Sequence, residues 1–152
     1  MPEPSDQLHA VNHRLRRRWI NQLTPFELSP HQYRALAVLA RSADHTHEAG
    51  ADPQDGMRLN EIAERLRIAP RSATEVVDLL EDKELVRRGQ DPNDRRASRV
   101  TVTEWGQHLY RQVRRERLQQ ADDFVSVLTE ADRAEFSRLL GRLLEANPRD
   151  HS

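Results

Sequence analysis

Two short apolar faces, a break between them and a β-branched run behind them limit what residues 57–103 can become. Leu59, Ile62, Ala63 and Leu66 recur at helical spacing, Ala69-Pro70 interrupts, and Ala73, Val76, Val77 and Leu80 form a second helical face. Two short helices around a tight turn make a helix-turn-helix pattern. Leu85 and Val86 then enter a polar loop from Gly89 to Ser98, and Val100-Thr101-Val102-Thr103 supplies a strand with two inward-facing valines. Two short strands around an Arg/Asp/Asn/Pro loop predict a β-hairpin. Helix, turn, helix and arginine-tipped hairpin, in that order, predict a winged helix-turn-helix over residues 57–103 in a mainly α-helical chain.

The flanks read as helices in search of a partner. Leu8, Val11, Leu15, Trp19 and Leu23 lay one narrow stripe along a helix whose other sides carry Arg14, Arg16, Arg17 and Arg18, read as a solvated face. Thr24-Pro25 breaks that helix. Ser29-Pro30-His31-Gln32 starts the next, with Ser29 as N-cap, Pro30 at the first helical position and Gln32 placed to return the capping-box bond. Tyr33, Leu36, Ala37 and Ala40 supply its buried face, and the helix is expected to end near Arg41. Residues 42–56 hold Asp44, Glu48, Asp52 and Asp55 with Gly50, Pro53 and Gly56, so a long acidic loop is expected there. A long helix over Glu104 to Leu128 follows, then one capped by Thr129, whose Phe136, Leu139, Leu140, Leu143 and Leu144 repeat along one face until Asn147-Pro148.

Composition bears on those stripes. Of 152 residues, 36% are hydrophobic, and adding the 5 glycines brings the share to about 39%, below the roughly 45–50% usual for a self-contained globular domain. A thin core and exposed stripes in residues 1–41 and 104–152 predict a helical dimerisation region completed by a second copy of the chain.

Several chemistries are excluded or disfavoured. Without cysteine there is no disulfide framework, thiolate nucleophile or cysteine-ligated zinc. The glycines stand apart at 50, 56, 89, 106 and 141, so no Gly-rich loop cradles phosphate, and no Gly-x-Ser-x-Gly elbow occurs. His9 with His13, and His45 with His47, lack a third ligand at zinc-site spacing. No cofactor, metal or catalytic residue is expected, and with no apolar run near ~18 residues and no leader-like start, a cytoplasmic chain without membrane contact is expected.

Nucleic acid suits the residues better. A helix of this length fits the major groove of B-DNA, where its first turn comes closest to the base edges. That turn holds Arg71, Ser72, Thr74 and Glu75, off the apolar face. Arg71 can fork onto guanine or grip a phosphate, Ser72 and Thr74 can bond bases or phosphates, and Glu75 can accept from a cytosine amino group or repel wrong registers. Residues 86–99 carry five arginines against Asp91 and Asp94, a local charge of +3 within a chain of net charge −1. In Asp91-Pro92-Asn93-Asp94-Arg95-Arg96, Pro92 and Asn93 fit turn positions, and Asp94 is expected to orient Arg95 by a charge-assisted bond. An arginine held on a finger suits the narrow, negative minor groove, with Arg96 beside it. A helix-turn-helix that only scaffolds a protein–protein adaptor is the competing reading, and a small hydrolase is a distant third.

At these residues the chain resembles the MarR family of bacterial winged-helix transcription regulators. The resemblance rests on Asp91-Pro92-Asn93-Asp94-Arg95-Arg96, on Leu59-Asn60-Glu61-Ile62-Ala63, on Leu80-Glu81 with Leu85-Val86-Arg87-Arg88, and on Thr103-x-x-Gly106-x-x-Leu109. It implies a homodimer of interlocking first and last helices, two winged domains on a palindromic operator of double-stranded DNA, and a pocket for a small aromatic or phenolic effector. With the aromatic residues available, Trp19, His31 and Tyr33 are the expected pocket contributors, near the junction of the first, second and fifth helices. Three departures stand out: Glu84 where the family usually has a helix-ending glycine, Ala97 for a common glycine after the wing arginines, and the long 42–56 segment.

Overall fold

The computed structural model describes residues 1–48 and 56–148. The elements are α1 (Pro4–Leu23), a 3₁₀ turn (Thr24–Phe26), α2 (Pro30–Glu48), β1 (Met57–Arg58), α3 (Leu59–Leu66), α4 (Pro70–Asp82), β2 (Val86–Gln90), β3 (Ser98–Val102), α5 (Glu104–Val125) and α6 (Glu130–Ala146). They fall into two compact units, Met1–Arg114 and the residues from Arg115 onwards.

The first unit is built around α2. Its start is the expected capping box: the Gln32 N–H donates to Ser29 Oγ at 3.1 Å, and the Ser29 N–H donates to Gln32 Oε1 at 3.1 Å. From Tyr33 onward nearly every side chain through Ala40 is buried, including Ala35, Val38 and Leu39 beyond the single expected face. The reason is packing on several sides, since α1, α3, α4 and β3 all pack against α2, and a helix so surrounded is apolar all round. The remaining core includes Leu23 and Met57, Ile62 and Leu66 of α3, the four α4 residues Ala73, Val76, Val77 and Leu80, then Leu85, Val86, Val100, Leu109, Tyr110 and Val113.

The expected loop over residues 42–56 needs correction at its start. α2 does not end near Arg41 but continues to Glu48. Polar composition was the only sign of a loop there, and no glycine or proline occurs before Gly50. The Asp44 carboxylate accepts from Gln107 Nε2 at 2.8 Å and Arg111 Nη2 at 2.9 Å, both on α5, which holds the extra turns in place. The remainder of that acidic segment, residues 49–55, lies outside the described residues.

The sheet has the order β1-β3-β2, antiparallel throughout. Val86 pairs with Val102 and Gln90 with Ser98, so both hairpin strands are longer than expected and the connecting loop shrinks to residues 91–97. Val100 is fully buried and Val102 packs against the core from a half-buried position. The two-residue β1, which pairs Met57 with Val100, has no sequence signal because it is too short to alternate.

Three charged residues occupy left-handed backbone, Glu27 (φ 53°), Arg67 (φ 55°) and Glu84 (φ 59°). At Glu84 the closure of α4 is complete: Leu85 N–H donates to Leu80 C=O at 3.0 Å and Glu84 N–H to Glu81 C=O at 2.8 Å. This is the Schellman pattern, with buried Leu80 and Leu85 as its apolar contact. α4 therefore ends as a glycine would end it, with glutamate bearing the strain. Among the described residues the Glu84 side chain makes no hydrogen bond, while its main-chain oxygen accepts from Thr103 Oγ1 at 2.7 Å. Glu84→Gly is expected to stabilise the chain by about 0.5–1 kcal/mol, the relief of strain exceeding the added unfolded-state entropy; a denaturant midpoint that does not rise contradicts this. Beside this closure, Lys83 Nζ lies 3.8 Å from Glu27 Oε2, linking the end of α4 to the turn before α2.

The second unit holds the later part of α5 and α6. Thr129 caps α6 as expected, its Oγ1 accepting from the Asp132 N–H at 3.2 Å. Within one chain α6 buries nothing: Phe136, Leu139, Leu140, Leu143 and Leu144 are all exposed.

Candidate nucleic-acid interface

α4 points its apolar face inward and leaves its first turn outside. Pro70 takes the first helical position, where its missing N–H costs nothing. Arg71 is 91% exposed and Glu75 66%, one turn apart, with Nε to Oε1 at 3.6 Å. Such a loose surface pair leaves the guanidinium free to exchange partners. Thr74 donates its hydroxyl hydrogen to Pro70 C=O at 3.1 Å, so towards a ligand it offers an acceptor and a methyl group. Ser72 is half-buried beside them. These four expected residues share one helix turn.

The hairpin loop has a different internal logic from the expected one. Its anchor is Asp91, whose side chain is fully buried. Oδ1 accepts from the Asn93 N–H at 2.8 Å, and Oδ2 accepts from Arg58 Nε and Arg99 Nε, each at 2.9 Å. Arg99 also donates through Nη1 to Gly56 C=O at 3.2 Å. The carboxylate thus pins the start of the 91–97 loop to β1. Asp94 instead accepts the Arg96 main-chain N–H at 2.9 Å, and among the described residues it makes no ion pair with Arg95. The expectation that Asp94 aims the Arg95 guanidinium is corrected: an Asx bond two residues ahead was geometrically closer than any side-chain partner, and Asp94 shapes the turn. Arg95 and Arg96 are exposed at the tip, and neither guanidinium has a partner among the described residues.

The Asn93 N–H lowers the Asp91 pKa most; burial opposes it, and Arg99 and Arg58 add to the lowering, which takes it from 3.8 to about 2. A depressed carboxylate stabilises the fold in full above its unfolded value and loses that contribution as pH falls through the folded value. The stability gap between wild type and Asp91→Asn is therefore expected to be constant above pH 3.8 and to close towards about pH 2. Acid unfolding of both proteins measures it, and a gap that persists at the acid end contradicts the assignment.

Sequence reasoning also missed what ties the wing to α4. Arg88 on β2 sends Nη2 to Asp78 Oδ1 and Nη1 to Glu81 Oε1 at 3.0 Å, and its main-chain N–H donates to Glu81 Oε2 at 2.9 Å. The Glu81–Arg88 separation carries no spacing signal, because the pair meets only once the strand folds back on the helix.

Of the expected pocket residues, Trp19 and Tyr33 meet edge to face with ring centroids 6.1 Å apart, and Tyr110 of α5 stacks on Tyr33 at 6.3 Å. Aromatic rings thus meet where α1, α2 and α5 come together, Tyr110 being unforeseen. His31 is exposed on the first turn of α2 and is not part of this cluster.

A three-stranded wing braced on a helix-turn-helix, with a polar first turn on the second helix and bare arginines at the hairpin tip, defines the winged helix-turn-helix class of DNA-binding transcription regulators. The MarR family model matches residues 51–98. The HTH-type transcriptional regulator MhqR of Bacillus subtilis is 30% identical over 110 residues, 65% of this chain and 76% of the relative. The HTH-type transcriptional repressor MdtR of the same organism is 29% identical over 62% of this chain and 61% of its own length. Among solved structures, MepR, a transcription regulator of the Staphylococcus aureus multidrug efflux pump MepA, superposes with a TM-score of 0.80 at 21% identity, covering 95% of this chain and 98% of that one. The chain belongs to the MarR family.

Proposed function

We propose that this chain is a homodimeric repressor that binds a palindromic operator and is released from it by a small aromatic or phenolic effector. The observation that carries the DNA reading is the pairing of an exposed, polar first turn of α4 with two unpartnered arginines on a braced wing. Arg71, Ser72, Thr74 and Glu75 read the major groove, while Arg95 and Arg96 enter the adjacent minor groove, where guanidinium meets the strongest negative potential. The exposed apolar faces support a second copy: Leu8 on α1 is 58% exposed and Leu143 and Leu144 on α6 are 51% and 67% exposed, and apolar helix faces left open in this way are uncommon on a monomer. A palindrome follows from the two-fold symmetry of such a dimer. The repressor and effector elements lean on relatives, since MdtR is named a repressor and one MepR structure holds ethidium. In this chain the effector would lie against Trp19, Tyr33 and Tyr110.

Duplex DNA selected from a random pool by the purified protein is the probe. Affinity for it is expected to fall steeply and log-linearly with salt, with light scattering giving a dimer mass. Salt-insensitive or absent binding would favour a protein–protein adaptor, and a monomer mass at micromolar concentration removes the symmetric operator. Aromatic acids or phenols that neither release the duplex nor alter Trp19 fluorescence remove the effector.

A further inference from the structure

We propose that Arg88 is the positioning residue that fixes the wing against α4, and so sets the distance between the major-groove turn and the minor-groove arginines; this rests on the DNA-binding reading above. Arg88 is a half-buried β2 residue that makes three bonds to a single helix: two from its guanidinium, to Asp78 and Glu81, and one from its main-chain N–H, to Glu81. A fork meeting two carboxylates three residues apart constrains both translation and rotation of the strand along α4, which a point charge does not. Asp91 performs the corresponding task on the other side of the hairpin, tying its far end to β1. Between these two fixings the hairpin has little freedom to slide, and the tip arginines stand at a fixed offset from Arg71.

Arg88 turns both of its terminal nitrogens to the α4 carboxylates rather than outward. Its effect on binding passes through Arg95 and Arg96. It also neutralises two carboxylates on the helix that enters the groove: Asp78 is 55% exposed and Glu81 40%. Left unpaired, both would face the approaching phosphates with like charge.

The experiment is a double-mutant cycle on the pool-selected duplex at one salt concentration, using the full chain. It compares wild type, Arg88→Gln, the tip variant Arg95→Ala/Arg96→Ala, and all three substitutions combined. Arg88→Gln alone is expected to weaken binding by about tenfold or more, a loss of the size that misplacing a contact group produces. In the tip-variant background the same substitution is expected to cost several-fold less, because there is no wing contact left to misplace. The slope of affinity against salt is expected to change less for Arg88→Gln than for the tip variant, since Arg88 itself makes no phosphate contact. Arg88→Lys keeps the charge and loses the fork, so it separates positioning from neutralisation: it is expected to recover only part of the affinity. Thermal melting confirms that each variant is folded. Equal losses in both backgrounds, or full recovery by Arg88→Lys, overturn the positioning role while leaving the DNA-binding reading intact. A wild-type chain that selects no duplex overturns both.

Discussion

A chain carrying Arg95→Ala and Arg96→Ala binds its operator more weakly than wild type by roughly 2–6 kcal/mol, from about 1–3 kcal/mol for the concentrated contact of each wing in a two-wing complex. It melts at the wild-type temperature. The second expectation follows from geometry: both side chains are exposed, and the bond that shapes the tip uses the Arg96 main-chain N–H, which alanine keeps. Surface positions of this kind contribute little to stability. Single substitutions apportion the loss, with Arg95 expected to carry the larger share. Asp94→Ala is expected to cost less than either, because it loosens the turn while removing a negative charge near phosphate. Titrations on operator and scrambled duplex at fixed salt decide the matter, and an Arg95→Ala/Arg96→Ala protein that is folded and binds operator like wild type leaves the wing without a role.

Gly106→Ala is the substitution expected to damage the fold most. A Cβ at Gly106 would lie 2.0 Å from the Leu85 carbonyl oxygen and 2.9 Å from Val102 Cγ2. The main-chain neighbour cannot yield. The Leu85 oxygen accepts the Thr103 N–H at 3.0 Å, and Leu85 and Val86 are locked in the core. The first turn of α5 must therefore lift from the link between α4 and β2, at a cost of about 3 kcal/mol or more. For a chain of this size that lowers Tm by roughly 6–12 °C. Gly141→Ala provides the matched control, since a Cβ there has nothing within 4 Å and a helix-interior alanine is worth up to ~1 kcal/mol over glycine. Equal melting temperatures for the two variants would refute the close-approach account.

What the sequence made legible was local. The Ser29–Gln32 capping box, the four-residue core face of α4, the Thr129 cap and the stop at Asn147-Pro148 each depend on residues a few positions apart, and each is found as expected. The fold class was readable for the same reason, because the helix-turn-helix and hairpin follow one another directly in the chain. Long-range partners were not readable. Nothing in Asp91 announces Arg58, 33 residues earlier, so the carboxylate that anchors the wing was passed over for its neighbour Asp94. The end of α2 was misplaced because its last turns are held from α5, 63 residues away, and local polarity outweighed the absence of any helix breaker.

The ion pair between Lys83 and Glu27 also has a practical consequence. Lys83 is the only lysine in the chain, every other basic side chain being arginine or histidine. Besides the α-amino group, an amine-selective dye therefore meets one side chain, 29% exposed, at the C-terminal end of α4. Acylation there removes the charge that faces Glu27 and installs a reporter in the same step. The chain thus comes with a built-in address for following, by fluorescence and without engineering a cysteine, whether the end of α4 moves against the turn before α2 when duplex or effector arrives.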